Sequence, residues 1–598
     1  MLLSQNALHS FHIPVMGLGF TVDSPIKIAK YGISSVVSIM DDHLLEDMRR
    51  IYCRKLNIPY LYIDEKEEDF RAKRIKAYLN LLHHRVQNQI VEIKLQDFDR
   101  DLEINQYFEL LPVENPLYQL YQKRLRVAGQ ERIVIEKKLK DAIIPGSIDV
   151  NIMTKVDKIN VNKDGDELPR EYSDALSALR GFAESDLNSA VVFSAGLNPA
   201  LYSYVENFPD FFPDENGNIK KRIILKVSDY RSALIQGRFL AKKGIWISEF
   251  RIESGLNCGG HAFATDGYLV GPILEEFKTN RESLRETLLT GCQQALSAKG
   301  HPLLPEDIKL KITYQGGIGN AEENNFLMEY YQLDGTGWGS PFLLVPEATS
   351  VDKDTLERLV KSKKSDYYLS HASPLGVPFN NLRVSSGEEQ RKARIEKNRP
   401  GSPCYKKFLT FSKEFSDKSI CTASREYQNL KIKQFKAGEA TESVLKEVLE
   451  KDCLCEGLSA PAILNAGESP RRNLSAVTIC PGPNLAYFKG VFSLKEMVGH
   501  IYGKLHINLD PERPHVFIKE LQLYKQYLKT EMEKALPESN QKFDIYVEKF
   551  KKNILEGIEY YEKLTESMEI GKNEVVLKMK AQLESVKSEI FGQSFIVS

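Results

Sequence analysis

The residues best suited to chemistry stand at Asn257-Cys-Gly-Gly-His261, after the strand-like run Gly244-Ile-Trp-Ile-Ser-Glu-Phe-Arg-Ile252. Imidazole titrates near neutrality, so a histidine delivered at a strand end can take or return a proton. Gly259 and Gly260 carry no Cβ, which lets the main chain approach a flat ligand closely or adopt positive φ. A structural turn with a hydrogen-bonded histidine fits the same residues, and this stretch alone does not separate the two readings. Two further glycine clusters follow, Gly316-Gly-Ile-Gly319 and Gly337-Trp-Gly-Ser340. Both offer backbone N–H groups, and the first opens a helical run whose N-terminal dipole favours an anion.

Such motifs need strands to deliver them. β-Branched and aromatic runs bounded by turn residues predict strands at 13–21, 34–40, 147–153, 189–194, 222–228, 245–252, 309–315 and 335–344. Helical spacing falls between them at 24–31, 173–184, 199–206, 230–243, 269–298 and 321–331. Eight strands, each followed by a helix or an insertion, predict an α/β fold: a closed (β/α)8 TIM barrel, with a doubly wound open sheet as the alternative. In that barrel the site lies at the C-terminal strand ends, and a phosphate commonly sits at the loops after strands seven and eight. The two glycine clusters occupy those loops, so a phosphate-bearing ligand is expected.

The chain divides accordingly. Residues 1–40 supply barrel strands one and two, and 41–145 form a charged helical insertion after strand 2, with helical spacing at 71–86 and 118–142. Residues 146–368 complete the barrel. The segment 369–492 wraps it and carries Cys404, Cys421, Cys453, Cys455 and Cys480, while 493–598 form a mostly helical extension. Phe543, Val547, Phe550, Ile554, Ile558 and Tyr561 recur every three or four residues, as do Val576, Met579, Leu583, Val586 and Ile590; such stripes are core or docking faces. The five cysteines match no Cys-x-x-Cys pair or ferredoxin run, so free thiols are the expectation and a metal the alternative.

Across 598 residues, 81 Lys plus Arg balance 82 Asp plus Glu, which points to a small-molecule partner and away from nucleic acid or an anionic membrane. No run of about 18 apolar residues and no leader-like N-terminus is present, so a cytoplasmic location is expected.

In their order, these motifs resemble the nitronate monooxygenases, also called 2-nitropropane dioxygenases, which are FMN-binding (β/α)8 enzymes related to flavin-dependent enoyl-(acyl-carrier-protein) reductases. The resembling residues are Ile13-Pro-Val-Met16, Val150-Asn-Ile152, Asn257-Cys-Gly-Gly-His261, Gly316-Gly-Ile318, Gly339-Ser-Pro-Phe342 and Cys453-Leu-Cys-Glu456. The resemblance covers about 13–347, and more faintly 370–464. It implies an FMN-dependent oxidoreductase in which Gly317, Gly319, Gly339 and Ser340 hold the phosphate. Gly17, Leu18 and Asn151 would contact the ring, with Gly259, Gly260 and Gly316 beside it and His261 transferring a proton to or from a small or acyl-chain substrate. A nicotinamide or oxygen would be the co-substrate, and a homo-oligomer is compatible with the pattern.

Where the family has Glu-Ala, this chain has Asn257-Cys258, a departure that puts the family's substrate and proton relay in question here. Cys258 reads as a redox thiol or a small apolar filler. Lys155 and Lys226 fall near strand ends, where they could meet the charge of a reduced flavin or lie on a solvated rim. Glu253 would orient His261 or pair with a barrel lysine. His371 reads as a capping or packing residue, or one reaching the pocket. Two other functions fit less of the pattern: a phosphate-binding barrel isomerase or aldolase without flavin, and a catalytically inactive barrel scaffold.

Overall fold

The computed structural model describes residues 8–162, 165–194, 196–535, 541–568 and 574–592. Eight parallel strands close into a barrel: β1 (Phe11–Ile13), β2 (Ser34–Ser38), β3 (Ile148–Ile152), β4 (Ala190–Phe193), β5 (Arg222–Val227), β6 (Ile247–Glu253), β7 (Lys311–Gln315) and β8 (Gly335–Gly337). Closure is made by β1 and β8, where Phe11 pairs with Thr336 and His12 with Gly337. That pairing excludes the open-sheet alternative. The strands are buried on both faces, and β3 and β4 lack an exposed residue, as expected when helices cover the outside and side chains fill the inside.

Both ends of the strand series differ from the sequence expectation: β1 lies at Phe11–Ile13 and shares only Ile13 with the expected 13–21, and β8 is shorter than 335–344. β1 stops at Ile13 because Pro14 has no N–H to continue the ladder, and the chain then turns through Gly17 at φ +54°. β8 stops at Gly337, and Ser340–Leu344 forms a 3-10 turn with Pro341 in its first turn.

Between β2 and β3 lie helices Asp42–Lys55, Phe70–Leu95, Leu102–Glu109, Pro116–Arg124 and Gly129–Asp141. The helical spacing read across 118–142 is broken at Gly129, which sits at φ +62°. Phe70–Leu95 packs against Asp174–Ala183 so closely that a Cβ on Gly181 would meet the Ala72 carbonyl oxygen at 2.8 Å. Arg71 and Arg74, both buried, reach the Asp42 carboxylate at 2.7 and 2.9 Å, so these charges enter the interior already paired.

After the barrel, β9 (Tyr367–Ser370) and β10 (Phe379–Leu382) form an antiparallel hairpin, followed by helices including Ser386–Glu396, Arg425–Lys436 and Glu442–Glu450. This part of the chain folds over the strand ends. The Leu458 carbonyl accepts the Gly19 N–H at 2.8 Å, and the buried Lys406 ammonium lies 2.7 Å from Asp41. Helices Val516–Ala535, Gln541–Met568 and Glu574–Gly592 finish the chain. Their apolar stripes are docked: Phe550, Ile558 and Tyr561 are buried, as are Met579 and Leu583. The Ile590 side chain lies outside the described residues. Tyr561 Oη accepts the Gly271 N–H at 3.2 Å, at a glycine whose Cβ would strike the tyrosine ring. Among the described residues no helix is long and apolar enough to cross a membrane.

Candidate functional site

Loops from the C-terminal ends of the strands enclose a cavity of about 250 Å³. His261 lines it together with Gly17, Leu18, Asn151, Lys226, Gly259, Gly260, Gly316, Gly317, Gly339 and Ser340. Gly319 is the exception among the expected residues. Its N–H donates to Glu323 Oε2 at 3.0 Å, and a Cβ there would lie 2.2 Å from the Arg513 guanidinium. Arg513 grips both Glu323 oxygens and the Gly317 carbonyl. The helix start after β7 is therefore satisfied by protein, with Asn320 capping it through the Glu323 N–H.

The glycine-histidine stretch is pinned by the post-barrel segment. Gly260 donates to the Cys480 carbonyl at 3.1 Å and accepts from the Asn380 N–H at 2.8 Å, while Asn380 Nδ2 reaches the Cys258 carbonyl at 2.7 Å. His261 pairs by backbone with Phe379, whose ring meets the imidazole edge-on at 5.1 Å. The imidazole Nε2 lies 2.7 Å from Ser373 Oγ. Burial, reinforced by Lys155 and Lys226, brings the His261 pKa down to about 4, so the ring is neutral at pH 7.

Glu253 turns to a lysine, not to the histidine. Its carboxylate lies 2.9 Å from Lys226 Nζ and accepts from Gln315 Nε2 at 2.7 Å. Burial alone would raise this carboxyl, yet the Lys226 ammonium holds it below its ordinary value. Cys258 is driven the other way, well above an ordinary thiol, by burial and then by Glu253. A protonated thiol is a poor nucleophile, which favours the filler reading of Cys258 over the redox one. Lys155 lies 4.2 Å over the Phe263 ring, and burial lowers its pKa.

Three cavity residues, Asn151, Asn257 and Gln315, each carry a buried amide oxygen with no hydrogen bond of good geometry among the described residues, and of these Gln315 faces the buried His12 imidazole. Orphaned acceptors of this kind cost free energy unless something fills them. Gln315 was not singled out from the sequence, although it immediately precedes Gly316 at the end of β7. The apolar cover, Phe379, Phe408, Leu409, Leu454 and Leu458, was also missed. Those residues lie far downstream and carry no local signal of the pocket.

Cys455 and Cys480 both line the cavity; the Cys404 and Cys421 thiols contact each other, as do those of Cys453 and Cys455, and Cys421 lies near enough to the second pair to interact with it. All are free thiols, and among the described residues no group of three or more His, Cys, Asp or Glu side chains could hold a metal ion. His371 lines a different cavity, with Nδ1 3.9 Å from Glu447.

Fold and site together define a (β/α)8 barrel with a glycine-lined cavity at the C-terminal strand ends. No protein-family model matches the chain, and no curated protein matches it. Among solved structures it is similar to FabK from Thermotoga maritima, at 12% identity and TM-score 0.30, covering 63% of this chain and 82% of that one. It is similar also to the enoyl reductase domain of MlnA from the macrolactin biosynthesis cluster of Bacillus amyloliquefaciens, at 15% identity and TM-score 0.34, covering 68% and 87%. A third is a nitroalkane oxidase from Streptomyces ansochromogenes, at 9% identity and TM-score 0.34, covering 83% and 94%.

Proposed function

We propose that the protein is an FMN-dependent oxidoreductase of the nitronate monooxygenase or enoyl reductase type, acting on a small or acyl-chain substrate. One observation carries the reading: three glycine motifs dispersed over the sequence, with His261, line a single cavity at the strand ends. The residues present suit the cofactor. Asn151 Oδ1 offers an unfilled acceptor, and Gly17, Gly260, Gly316 and Gly317 all hold positive φ, which brings bare backbone to the cavity.

FMN would be held by Gly17, Leu18, Asn151, Gly259, Gly260 and Gly316 around its ring and by Gly317, Gly339 and Ser340 at its phosphate; Gly319 is left out because its N–H is already bonded. When bound, FMN supplies the electron transfer. The chain's own residues position substrate and manage protons. A neutral His261 can accept a proton or, once charged, return it. Ser373 engages Nε2, and Nδ1, which has no partner among the described residues, is the nitrogen left for substrate. Lys226 would place positive charge at the cavity while Glu253 holds it in position. Phe379, Phe408 and Leu458 would exclude water and favour an apolar substrate body.

A second reading, an imine-forming isomerase or aldolase, is favoured by Lys155 alone, a partly buried cavity lysine with a lowered pKa. Borohydride trapping of a substrate imine would select it. The absorption spectrum of purified protein, with mass identification of released material, tests the first. Flavin bands and free FMN are expected. Colourless protein that takes up no added FMN ends the proposal.

A further inference from the structure

A second cavity of about 370 Å³ lies between the β9–β10 hairpin and helix Val516–Ala535. It shares thin walls with the first. Phe379 faces the first cavity, whereas its neighbours Pro378 and Asn380 face the second; Gly482 and Asn484 line the first, and Pro483 lines the second. At Phe379 and Asn380 this follows from the alternation of side chains along β10.

Charge in the second cavity is unbalanced at one point. Lys364 is 3.1 Å from Asp510, and Lys534 is 2.8 Å from Glu531, so each of those ammonium groups has its carboxylate. His371 faces Glu447. Lys519 has none among the described residues; its amine stands over the Tyr487 ring at 5.5 Å, with Lys364 on the same ring at 4.8 Å. Burial, then Lys364 and Arg513, lowers the Lys519 pKa to about 8, the response of an amine short of negative charge. Tyr487 adds flat apolar surface beside it, and Tyr527, about two turns further along the helix that carries Lys519, extends the cavity wall.

We propose that this second cavity binds a small organic anion, its carboxylate or phosphate held by Lys519 and its aromatic or apolar body set against Tyr487 and Tyr527. A half-buried lysine lacking a carboxylate gains most from an anion supplied by ligand, and a neighbouring lysine already saturated by Asp510 makes Lys519 the anchor. The tyrosines give the body of the ligand an apolar surface that a bare inorganic ion cannot use. The proposal does not rest on the flavin reading.

Isothermal titration calorimetry of the full chain with benzoate and with phenyl phosphate tests it, the two arms distinguishing carboxylate from phosphate. Saturable binding of at least one is expected, weakened tenfold or more in Lys519→Met and restored in Lys519→Arg. Benzyl alcohol and inorganic phosphate are each expected to bind at least tenfold more weakly than the better probe. No saturable binding of either probe, binding unchanged in Lys519→Met, or equal binding of benzyl alcohol would each overturn the proposal. Equal binding of inorganic phosphate would overturn the role of the tyrosines. Because Lys519 does not line the first cavity, its loss separates this site from any phosphate site there.

Discussion

His261 Nε2 lies 2.7 Å from Ser373 Oγ, a contact spanning 112 positions in sequence. It couples the end of a barrel strand to a segment folded back over the barrel mouth. Ser373 Oγ also accepts the Leu375 N–H, so the serine is itself held in place.

Ser373→Ala removes this hold on the imidazole and leaves the apolar packing around it. The expected effect is a tenfold or greater fall in kcat with KM little changed, the loss of about 1–2 kcal/mol of orientation. Steady-state kinetics of the proposed flavin reaction check it, and a change confined to KM would contradict a positioning role.

Neutral His261 makes stability depend on pH. The folded pKa is about 4 and the ordinary value 6.5, so between them the unfolded chain binds the extra proton. Stability from this group is present above pH 6.5 and is lost as pH falls towards 4, by up to about 3 kcal/mol. His261→Gln is expected to flatten that slope, as read by urea unfolding at pH 4.5 and 7.5.

Lys226→Met leaves the Glu253 carboxylate with Gln315 and the Cys258 thiol as its side-chain donors and with no cation beside it. A half-buried carboxylate stripped of its cation costs about 1–3 kcal/mol, whereas removing both charges restores most of it. The double variant Lys226→Met/Glu253→Gln should therefore unfold at a higher urea concentration than Lys226→Met alone. Equal midpoints would show that the pair is not coupled.

Glu520 tests the docking of the C-terminal helices. Its carboxyl oxygens meet Ser254 Oγ at 2.5 Å and the Val270 N–H at 2.8 Å, and burial raises its pKa from 4.5 to about 7. The protonated form is thus favoured on folding, and this stability is lost as pH rises from 4.5 through 7. Glu520→Gln keeps an acceptor for Val270 and a donor for Ser254 without the charge. It should be more stable than the parent at pH 8, by about 1–3 kcal/mol, with the advantage gone below pH 4.5. Thermal unfolding at the two pH values decides it.

Gly316 is at φ +127°, and a Cβ on it would lie 2.8 Å from Cys258 Sγ; Gly260 is at φ +75° with nothing within 4 Å. Gly316→Ala should cost more stability than Gly260→Ala, by at least about 1 kcal/mol, since only the first adds a clash to the backbone strain. Equal denaturation midpoints would count against this packing.

Much of the barrel was legible because its signals are local. The β-branched runs at Ile148–Ile152 and Arg222–Val227, and the helical spacing between them, repeat at the period of a strand-helix unit. The glycine motifs were legible for the same reason, since a backbone that must stand bare is written at the position itself. Strand ends were less so: β8 reads through to 344 as an apolar run, but Gly339 and Pro341 turn it after Gly337. The helix Val516–Ala535 went unremarked, although Val516, Leu521, Tyr524 and Leu528 are buried along it.

The sequence by itself determined the alternating elements, the order of the glycine motifs and the histidine at the end of strand six. Only the tertiary structure decided that Glu253 takes Lys226 and not His261, that Ser373 and Phe379 close on the imidazole, and that Arg513 and Glu323 occupy the helix start beside Gly319. These partners come from chain segments far apart in sequence. Which of them meet depends on how the post-barrel segment and the C-terminal helices pack over the strand ends, a competition among burial, charge and hydrogen bonding that no local stretch encodes.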